Sequence, residues 1–310
     1  SRPSAAKSTR GQHASSVGEA GYTAKHIEVL EGLEPVRRRP GMYIGGTDEK
    51  ALHHLFAEVI DNAMDEVLEG HANFIKVDVE ADGFITVTDN GRGIPVDPHP
   101  KFKNKSALEV IMTTLHAGGK FNSEVYGTSG GLHGVGVSVA NALSERLEVE
   151  VARGGQLYAQ AYARGKPKTG LQKLGKVNNR RGTKVRFKPD PEIFGATVAF
   201  NPLRVFKMTR AKAYLFGGVE IRWHCDPKLV GSAGDVPEEA IFHFEKGLED
   251  YLKETINGAT LVHPDIFAGK SEKKGGHGTV EWAVGFVADV DPFLSSYCNP
   301  IPTPDGGTHE

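Results

Sequence analysis

The sequence predicts an α+β protein of about two domains, and three observations carry that prediction. An amphipathic helix begins near Leu52, a β-hairpin runs from Phe74 to Asp89, and a glycine-rich segment from Gly118 to Gly136 precedes further short strands. Glycine contributes 38 of the 310 residues, well above its average usage of roughly 7%. With 39% hydrophobic and 25% charged residues, the composition is that of a globular protein and excludes a disordered or collagen-like chain.

The first helix and the hairpin follow from hydrophobic periodicity. Apolar side chains from Leu52 to Val67 recur at helical spacing and stop before Gly70, a helix C-terminal signal. Phe74 to Glu80 and Phe84 to Asp89 have strand patterns, and the turn sequence Ala-Asp-Gly lies between them. This part of the chain therefore predicts helix, strand, turn and strand.

The elements that follow are interrupted by the glycine-rich segment. Ser106 to His116 has helical spacing, and the glycines from 118 to 136 predict a mobile loop that ends in a helix from Val135 to Leu143. Three strands are expected after it, at 148–152, 157–163 and 183–187. Strands of this kind, connected by short turns, pair mainly in antiparallel order.

A change of composition between Pro227 and Pro237, toward Gly, Ser, Ala and Pro, predicts a domain boundary. We expect a flexible arm at 1–21, a first domain at 22–236 and a second domain at 237–310 that is too short to close its core. The second domain offers a strand at 240–244, a helix at 247–255 and a strand at 279–287.

Several classes of protein are excluded. No apolar run approaches the roughly 18 residues of a membrane span, and the polar first 16 residues contain no signal-peptide core, which predicts a cytoplasmic protein without membrane association. Cys225 and Cys298 lack metal-site spacing and are expected to be buried thiols. The net charge of −2 argues against a wholly basic nucleic-acid module, although basic runs occur at 37–39, at 101–105 and from Lys173 to Arg181.

Three sets of polar residues carry potential chemistry. Glu58, Asn62 and Asp65 recur at i, i+4 and i+7, so they share one stripe of the first helix opposite its apolar face. A carboxylate there can accept a proton from water and an amide oxygen can bind Mg²⁺. The alternative is a solvated helix face.

The second set is Asp89-Asn90-Gly91-Arg92-Gly93-Ile94-Pro95, at the end of the hairpin. An aspartate at a strand end can accept a hydrogen bond from an adenine amino group, and glycines let backbone approach a ligand. A tight turn without a ligand is the alternative.

The third set is Gly130-Gly131-Leu132-His133-Gly134-Val135-Gly136-Val137, where the loop opens into a helix. Backbone N–H groups freed by glycine at a helix start can hold phosphates, although glycine-rich turns are common and His133 could be structural.

Two other nucleotide-binding motifs do not match the sequence. Gly269-Lys270-Ser271 lacks the first glycine of a P-loop and is expected in a surface loop. A dinucleotide fingerprint needs its glycines directly after the first strand of a βαβ unit, whereas a helix and a hairpin precede the glycine-rich segment of this chain.

Taken together and in this order, the three sets resemble the nucleotide motifs of the GHKL ATPases, the group of gyrase, Hsp90, histidine kinases and MutL. Within that group, three further stretches resemble the bacterial type IIA topoisomerase B subunits: Glu34-Pro35-Val36-Arg37-Arg38-Arg39-Pro40-Gly41-Met42-Tyr43, Leu115-His116-Ala117-Gly118-Gly119-Lys120-Phe121 and Asp305-Gly306-Gly307-Thr308-His309. The resemblance implies a Bergerat-type two-layer sandwich followed by the start of a ribosomal-S5-like transducer domain, with ATP and Mg²⁺ as cofactors.

The resemblance also implies roles for individual residues. Glu58 would be the general base for the attacking water, Asn62 the Mg²⁺ ligand and Asp89 the acceptor for the adenine amino group. The base pocket would be lined by Arg92, Gly93, Ile94, Pro95, Met112 and Thr183. The phosphates would be held by Lys120 and the N–H groups of Gly131, Leu132, His133, Gly134, Val135, Gly136 and Val137, with Tyr126 in the lid. Arg153 would contact aminocoumarin inhibitors together with Asp89, Arg92, Pro95 and Thr183. Tyr22, and Ile27 beside it, would belong to an arm that crosses to a second protomer.

Two branches of the family remain open. The stretches 212–221 and 299–304 look more like the topoisomerase IV branch than the gyrase branch. The topoisomerase IV branch implies decatenation and relaxation of double-stranded DNA, carried out with the topoisomerase IV A subunit in an A2B2 heterotetramer. It also implies an ATP-dependent homodimer of this domain and a location in the bacterial cytoplasm at the nucleoid. The gyrase branch implies negative supercoiling, and a nucleotide switch or chaperone clamp is a third alternative.

The sequence departs from the family pattern at two places. Gly127 replaces a lid lysine that is common in gyrase B, which puts a phosphate contact from that side in doubt. The chain also ends before the family's transducer lysine, so weak hydrolysis by this chain alone is expected.

Overall fold

The computed structural model describes residue 26 and residues 29–117, 136–231, 236–272, 278–288, 291–298 and 301–303. The chain divides into two compact units, residues 1–31 and Gly32–Glu310. The elements described below belong to the second unit. Across the described ranges, no helix is both long enough and apolar enough to cross a membrane.

A nine-stranded mixed sheet forms the centre of this unit. Its strands are β1 (Phe74–Val79), β2 (Ile85–Asp89), β3 (Ser144–Arg153), β4 (Gln156–Ala163), β5 (Lys166–Pro167), β6 (Gln172–Lys176), β7 (Gly182–Pro189), β8 (Glu220–Cys225) and β9 (Glu239–His243). The order across the sheet is β5-β4-β3-β7-β2-β1-β8-β9, and β6 also pairs with β4. Only β1 and β8 pair in parallel among these strands, so the expectation of mainly antiparallel pairing is confirmed.

Eight helices accompany the sheet in the described ranges. They are α1 (Glu34–Arg38), α2 (Gly41–Ile44), α3 (Glu49–Leu68), α4 (Ala107–Thr113), α5 (Gly136–Ala142), α6 (Pro191–Phe194), α7 (Pro202–Leu215) and α8 (Leu248–Ile256). The helix predicted from Leu52 is α3, and it begins one turn earlier because Asp48 caps it: the carboxylate Oδ1 accepts a hydrogen bond of 2.8 Å from the Ala51 N–H.

The core lies between the sheet and the helices, which gives two layers. In β1 the side chains of Ile75, Val77 and Val79 are buried while those between them are half exposed. Helix α3 packs on β2 and β7, α5 on β3 and β4, and α7 on β8 and β9. Burial of one sheet face and the apolar stripe of each helix is the main stabilising contribution of such an arrangement.

The structure corrects three expectations for the second half of the chain. Residues 269–271 lie in strand β10 (Phe267–Glu272), which pairs with β11 (Thr279–Val284), and not in a surface loop. Cys225 is buried, but Cys298 is exposed in the short strand β12 (Tyr297–Cys298), which pairs with β13 (Ile301–Pro302). The strand expected to open the second domain is β9, which pairs with β8 at the edge of the central sheet.

Candidate functional site

The site is built along one side of α3. Glu58 and Asn62 are half-buried there, while Asp65 is fully buried, so this stripe is not a solvated helix face. The apolar positions of the same helix, among them Phe56, Ile60 and Ala63, are buried against the sheet and fix its rotation. The polar stripe therefore faces the space between α3 and the loop after β2.

Asp89, the last residue of β2, is a buried carboxylate with a raised pKa. Its side chain is 6% exposed, and its Oδ1 atom accepts hydrogen bonds from the N–H groups of Gly91 at 2.8 Å and Thr183 at 3.3 Å. Burial raises the pKa of Asp89 to about 6, although these two N–H donors favour the ionised form. Among the described residues Oδ2 has no hydrogen-bond donor, so this oxygen is available to a ligand.

Two glycines let the backbone close around this carboxylate. A Cβ atom on Gly182 would overlap the backbone carbonyl of Asp89, and the φ angle of Gly182 is +107°. Gly93, with φ at +76°, lies against Val151 and the carbonyl of Ala152, where a side chain would come within 3.2 Å. Both positions require glycine because of their left-handed backbone and their close neighbours.

Ion pairing fixes the loop after Asp89 to α3. Glu66 accepts hydrogen bonds from Arg92 through both carboxylate oxygens, at 3.1 Å from Nε and 2.8 Å from Nη2, and also from the Arg92 N–H at 2.8 Å. Such a bidentate pair holds both side chains in one geometry. Arg153 donates from Nη1 to the carbonyls of Gly93 and Arg92, at 2.8 and 3.2 Å, so it closes the other side of the loop.

At the opposite end of the stripe, Glu58 lies against the start of α5. A Cβ atom added to Gly136 would lie 3.1 Å from both Cβ and Cδ of Glu58. Only glycine lets this helix begin so close to the carboxylate. Glu58 and Glu66 are eight residues apart on α3, a separation of roughly 12 Å along the helix axis, and Asn62 lies midway between them.

Of the other predicted residues, Thr183 contacts Asp89 directly and Ile94 contacts Thr183. Thr183 is 5% exposed, and its hydroxyl oxygen accepts a hydrogen bond of 3.2 Å from the Ile94 N–H. Met112 is fully buried, and its carbonyl accepts a hydrogen bond from the Asn141 side chain. Pro95 is exposed, and Val137 is buried in the first turn of α5.

Several predicted residues lie outside the described ranges. They are Tyr22, Ile27, Lys120, Tyr126, Gly131, Leu132, His133, Gly134 and Val135. The glycine-rich loop between 118 and 135 belongs to the same group.

Sequence reasoning missed Glu66, Gly182 and the structural role of Arg37. Glu66 follows Glu58 and Asn62 at a further i+4 step, a spacing that pointed to the same side of the helix. Arg37 donates to the fully buried Asp190 at 2.8 Å and to the Ala142 carbonyl at 2.7 Å, so this member of the first basic run holds α1 against the end of α5.

Comparisons with known proteins identify the family of the chain. Residues 47–193 match the family model described as histidine kinase-, DNA gyrase B-, and HSP90-like ATPase, and residues 247–310 match the model described as DNA gyrase B. The 43K ATPase domain of Thermus thermophilus gyrase B, solved in complex with an aminocoumarin, superposes with a TM-score of 0.73 at 40% identity, over 89% of this chain and 68% of that one. The chain therefore belongs to the gyrase B family of GHKL ATPases, the class that the fold and the site define.

Within that family, relatives of two kinds are similar to the chain. The B subunit of DNA topoisomerase 4 from Caulobacter vibrioides is 59% identical over 301 residues, which are 96% of this chain and 43% of the relative. The B subunit of DNA gyrase from Thermotoga maritima is 47% identical over 293 residues, 93% of this chain and 44% of the relative. The chain thus spans less than half the length of these curated relatives.

Proposed function

We propose that the site between α3 and the loop after β2 binds ATP and that Glu58 directs its hydrolysis. One observation carries the proposal: α3 places a carboxylate beside the start of α5 at one end, and the Glu66–Arg92 pair beside the Asp89 pocket at the other. The adenine amino group donates to Oδ2 of Asp89, and the triphosphate extends along α3 toward Gly136.

Glu58 acts as the general base for the attacking water. Glu58 lies beside the first turn of α5, where N–H groups lack helical partners. This position supports a terminal phosphate bound next to the base. Within this proposal the N–H groups from Gly131 to Val137, Lys120 and Tyr126 hold the phosphates and close over them. Tyr22 enters the site from the arm of a second protomer.

Asn62 fits the role of a Mg²⁺ ligand. Its half-buried amide has no hydrogen-bond partner among the described residues, so its oxygen is available to a hard cation. In the described ranges no cluster of three His, Cys, Asp or Glu side chains could hold a metal ion, and in this proposal Asn62 is the side chain that would hold Mg²⁺. When bound, Mg²⁺ would neutralise part of the negative charge of the phosphates.

For the whole protein we propose the ATPase component of a bacterial type IIA topoisomerase of the topoisomerase IV branch. The 59% identity to a topoisomerase 4 B subunit, against 47% to a gyrase B subunit, supports this branch. The proposed partners are the topoisomerase IV A subunit in an A2B2 heterotetramer and double-stranded DNA, in the cytoplasm at the nucleoid. ATP drives dimerisation of this domain, which closes a gate around a DNA duplex.

The domain division and the inhibitor site complete the proposal. We retain an ATP-binding domain at 22–236 and a transducer domain at 237–310, with β9 as the strand that joins the second domain to the sheet edge. Aminocoumarins bind at the mouth of the pocket, against Asp89, Arg92, Pro95, Arg153 and Thr183, as the complex of the Thermus thermophilus domain suggests.

The proposal is tested with Glu58→Gln in the protein extended to the length of its relatives. This change keeps the size of the side chain and removes the base, so we expect ATP affinity to stay within about twofold and turnover to fall by about 100- to 10,000-fold. The matched control is Glu69→Gln at the end of the same helix, which should leave turnover unchanged. Near-normal turnover of Glu58→Gln would overturn the assignment.

A gyrase activity is the second candidate, because a gyrase B subunit is also similar over most of the chain. Reconstitution with the A subunit of the enzyme separates the two: decatenation without negative supercoiling is the expected result. ATP-dependent supercoiling would place the protein in the gyrase branch, and neither activity would favour a nucleotide switch or chaperone clamp.

A further inference from the structure

An unusual charge pattern begins after the candidate site. From Val151 to Pro189 the sequence contains no aspartate or glutamate, and its basic residues are Arg153, Arg164, Lys166, Lys168, Lys173, Lys176, Arg180, Arg181, Lys184, Arg186 and Lys188. In a chain with a net charge of −2, this is a strong local excess. Of this set, only Arg153 belongs to the candidate site described above.

Most of these basic residues fall into two groups, whereas Arg153 and Arg181 donate to backbone carbonyls. The first group is paired with acidic residues: Arg180 and Lys184 pair with Glu150, and Arg186 pairs with Glu80 and Glu148. Lys188 pairs with Glu145, and Arg164 pairs with Asp190 and Glu192. The acidic residues of β3 are therefore already engaged by this first group.

The second group has no such neutralisation. Lys166, Lys168, Lys173 and Lys176 are exposed, and within the described residues none of them lies in an ion pair. We call the segment from Lys166 to Lys176 the lysine edge. Four uncompensated charges within eleven residues produce a local positive potential that the near-neutral total conceals.

The backbone holds the lysine edge in place along β4. Ala163 pairs with Lys166, Tyr158 with Lys173 and Gln156 with Lys176, and between the two short strands the Lys168 N–H donates to the Ala161 carbonyl at 2.8 Å. In the described part of the sheet, β5 and β6 pair only with β4, so their other side is a free edge. Such an edge presents backbone N–H groups together with the lysines.

We propose that the lysine edge binds the phosphate backbone of double-stranded DNA. Lysines and free backbone N–H groups are the donors that contact DNA phosphates without reading base sequence. The choice of DNA over another polyanion rests on the proposed function, in which a duplex is the substrate. This contact lies on the sheet edge formed by β5 and β6, whereas the ATP site lies between α3 and the loop after β2, so the two surfaces are separable by mutation.

Lysines on an edge strand have a second explanation, because they also prevent edge-to-edge association between sheets. The two explanations predict different behaviour when the charges are removed. Loss of a DNA contact weakens duplex binding and leaves the chain monodisperse, whereas loss of edge protection promotes self-association and leaves duplex affinity unchanged.

The test is fluorescence anisotropy of a labelled duplex of about 20 base pairs titrated with the 310-residue chain over about 50 to 200 mM salt. The edge variant is the quadruple change of Lys166, Lys168, Lys173 and Lys176 to Gln. The control variant changes Lys50, Lys103, Lys207 and Lys228 to Gln, four exposed lysines with no ion pair in the described residues. Both variants lose the same net charge. ATP affinity, measured on each protein, reports whether the fold and the nucleotide site are intact.

We expect the edge variant to bind the duplex more weakly, with a plot of log affinity against log salt that is shallower by about three to four units. The control variant should change this slope by less than about one unit. Equal effects of the two variants, absence of duplex binding by the unmodified chain, or self-association of the edge variant at unchanged DNA affinity would each overturn the proposal. Failure of the proposed ATPase function would show separately, as absence of ATP binding by the unmodified chain.

Discussion

At the scale of single residues, the surroundings of Asp89 suit its proposed role as a recognition group. The strand end buries the carboxylate, two backbone N–H groups occupy Oδ1, and Oδ2 is left to a ligand. Burial of a carboxylate without an arginine or lysine partner costs free energy. A ligand that donates a hydrogen bond to Oδ2 recovers part of that cost.

The protonation of Asp89 gives a direct prediction. Its pKa of about 6, raised by burial, should fall when adenine binds, because the amino group favours the ionised carboxylate. Because its pKa is raised, Asp89 binds a proton more tightly in the folded state than in the unfolded chain. Its contribution to the free energy of unfolding is therefore largest at low pH and is lost as the pH rises through about 6.

Carbon-13 NMR of the Asp89 carboxyl group, followed against pH with and without ATP, measures both values. The signal is assigned by its absence in Asp89→Asn. A carboxyl that titrates near its ordinary value of 3.8 in the free chain would contradict the description of the pocket.

At the scale of elements, α3 is held on both flanks of its polar stripe. Glu66 pairs with Arg92 on one flank, and on the other Asp61 pairs with Lys212 of α7 at 2.5 Å, with side chains 15% and 7% exposed. Asp61 precedes Asn62 and lies one turn after Glu58. The two pairs therefore fix the helix that presents the proposed base and metal ligand.

Loss of one partner from the Asp61–Lys212 pair should destabilise the fold. Lys212→Met leaves a nearly buried carboxylate unpaired, for which we expect a loss of about 3 kcal/mol in the free energy of unfolding. Adding Asp61→Leu to that variant should restore part of the stability, because the charge is then absent. Urea unfolding measures each value, and Lys76→Met, at a half-exposed pair with Asp78, is the control that should change little. Equal stability of Lys212→Met and the unmodified chain would contradict a structural role for the pair.

The elements also show what the sequence could and could not predict. Helix α3 and the hairpin β1–β2 were predicted because their periodicity and turn residues are local signals. Helix α7 was missed, although Asn201 and Pro202 form an N-terminal capping signal and the Asn201 side chain does accept a hydrogen bond from the Arg204 N–H. Strand β8 alternates buried Ile221, Trp223 and Cys225 with more exposed residues, but its parallel pairing with β1 joins segments far apart in the chain and has no local signal.

At the scale of the whole molecule, the motifs predicted from sequence converge in space where the structure describes them. Glu58, Asn62, Asp89 and Gly136 come from three separate segments of the chain, and the packing of α3 on β2 and α5 brings these segments together. The helical spacing of Glu66 indicated its side of α3, but its pairing with Arg92 and the contact of Gly182 with Asp89 join distant segments and have no local signal.

The central claim is that Asp89 selects the adenine base of ATP in the proposed site. Isothermal titration calorimetry of the 310-residue chain with ATP and with GTP, repeated for Asp89→Asn, tests it most directly. Guanine presents an oxygen where adenine presents the amino group. In a complex with GTP, two hydrogen-bond acceptors, this oxygen and Oδ2 of Asp89, would therefore face each other. We predict that the unmodified chain binds ATP and binds GTP at least about tenfold more weakly, and that Asp89→Asn loses most of the ATP affinity. Equal binding of the two nucleotides, or unchanged ATP affinity in Asp89→Asn, would contradict the account.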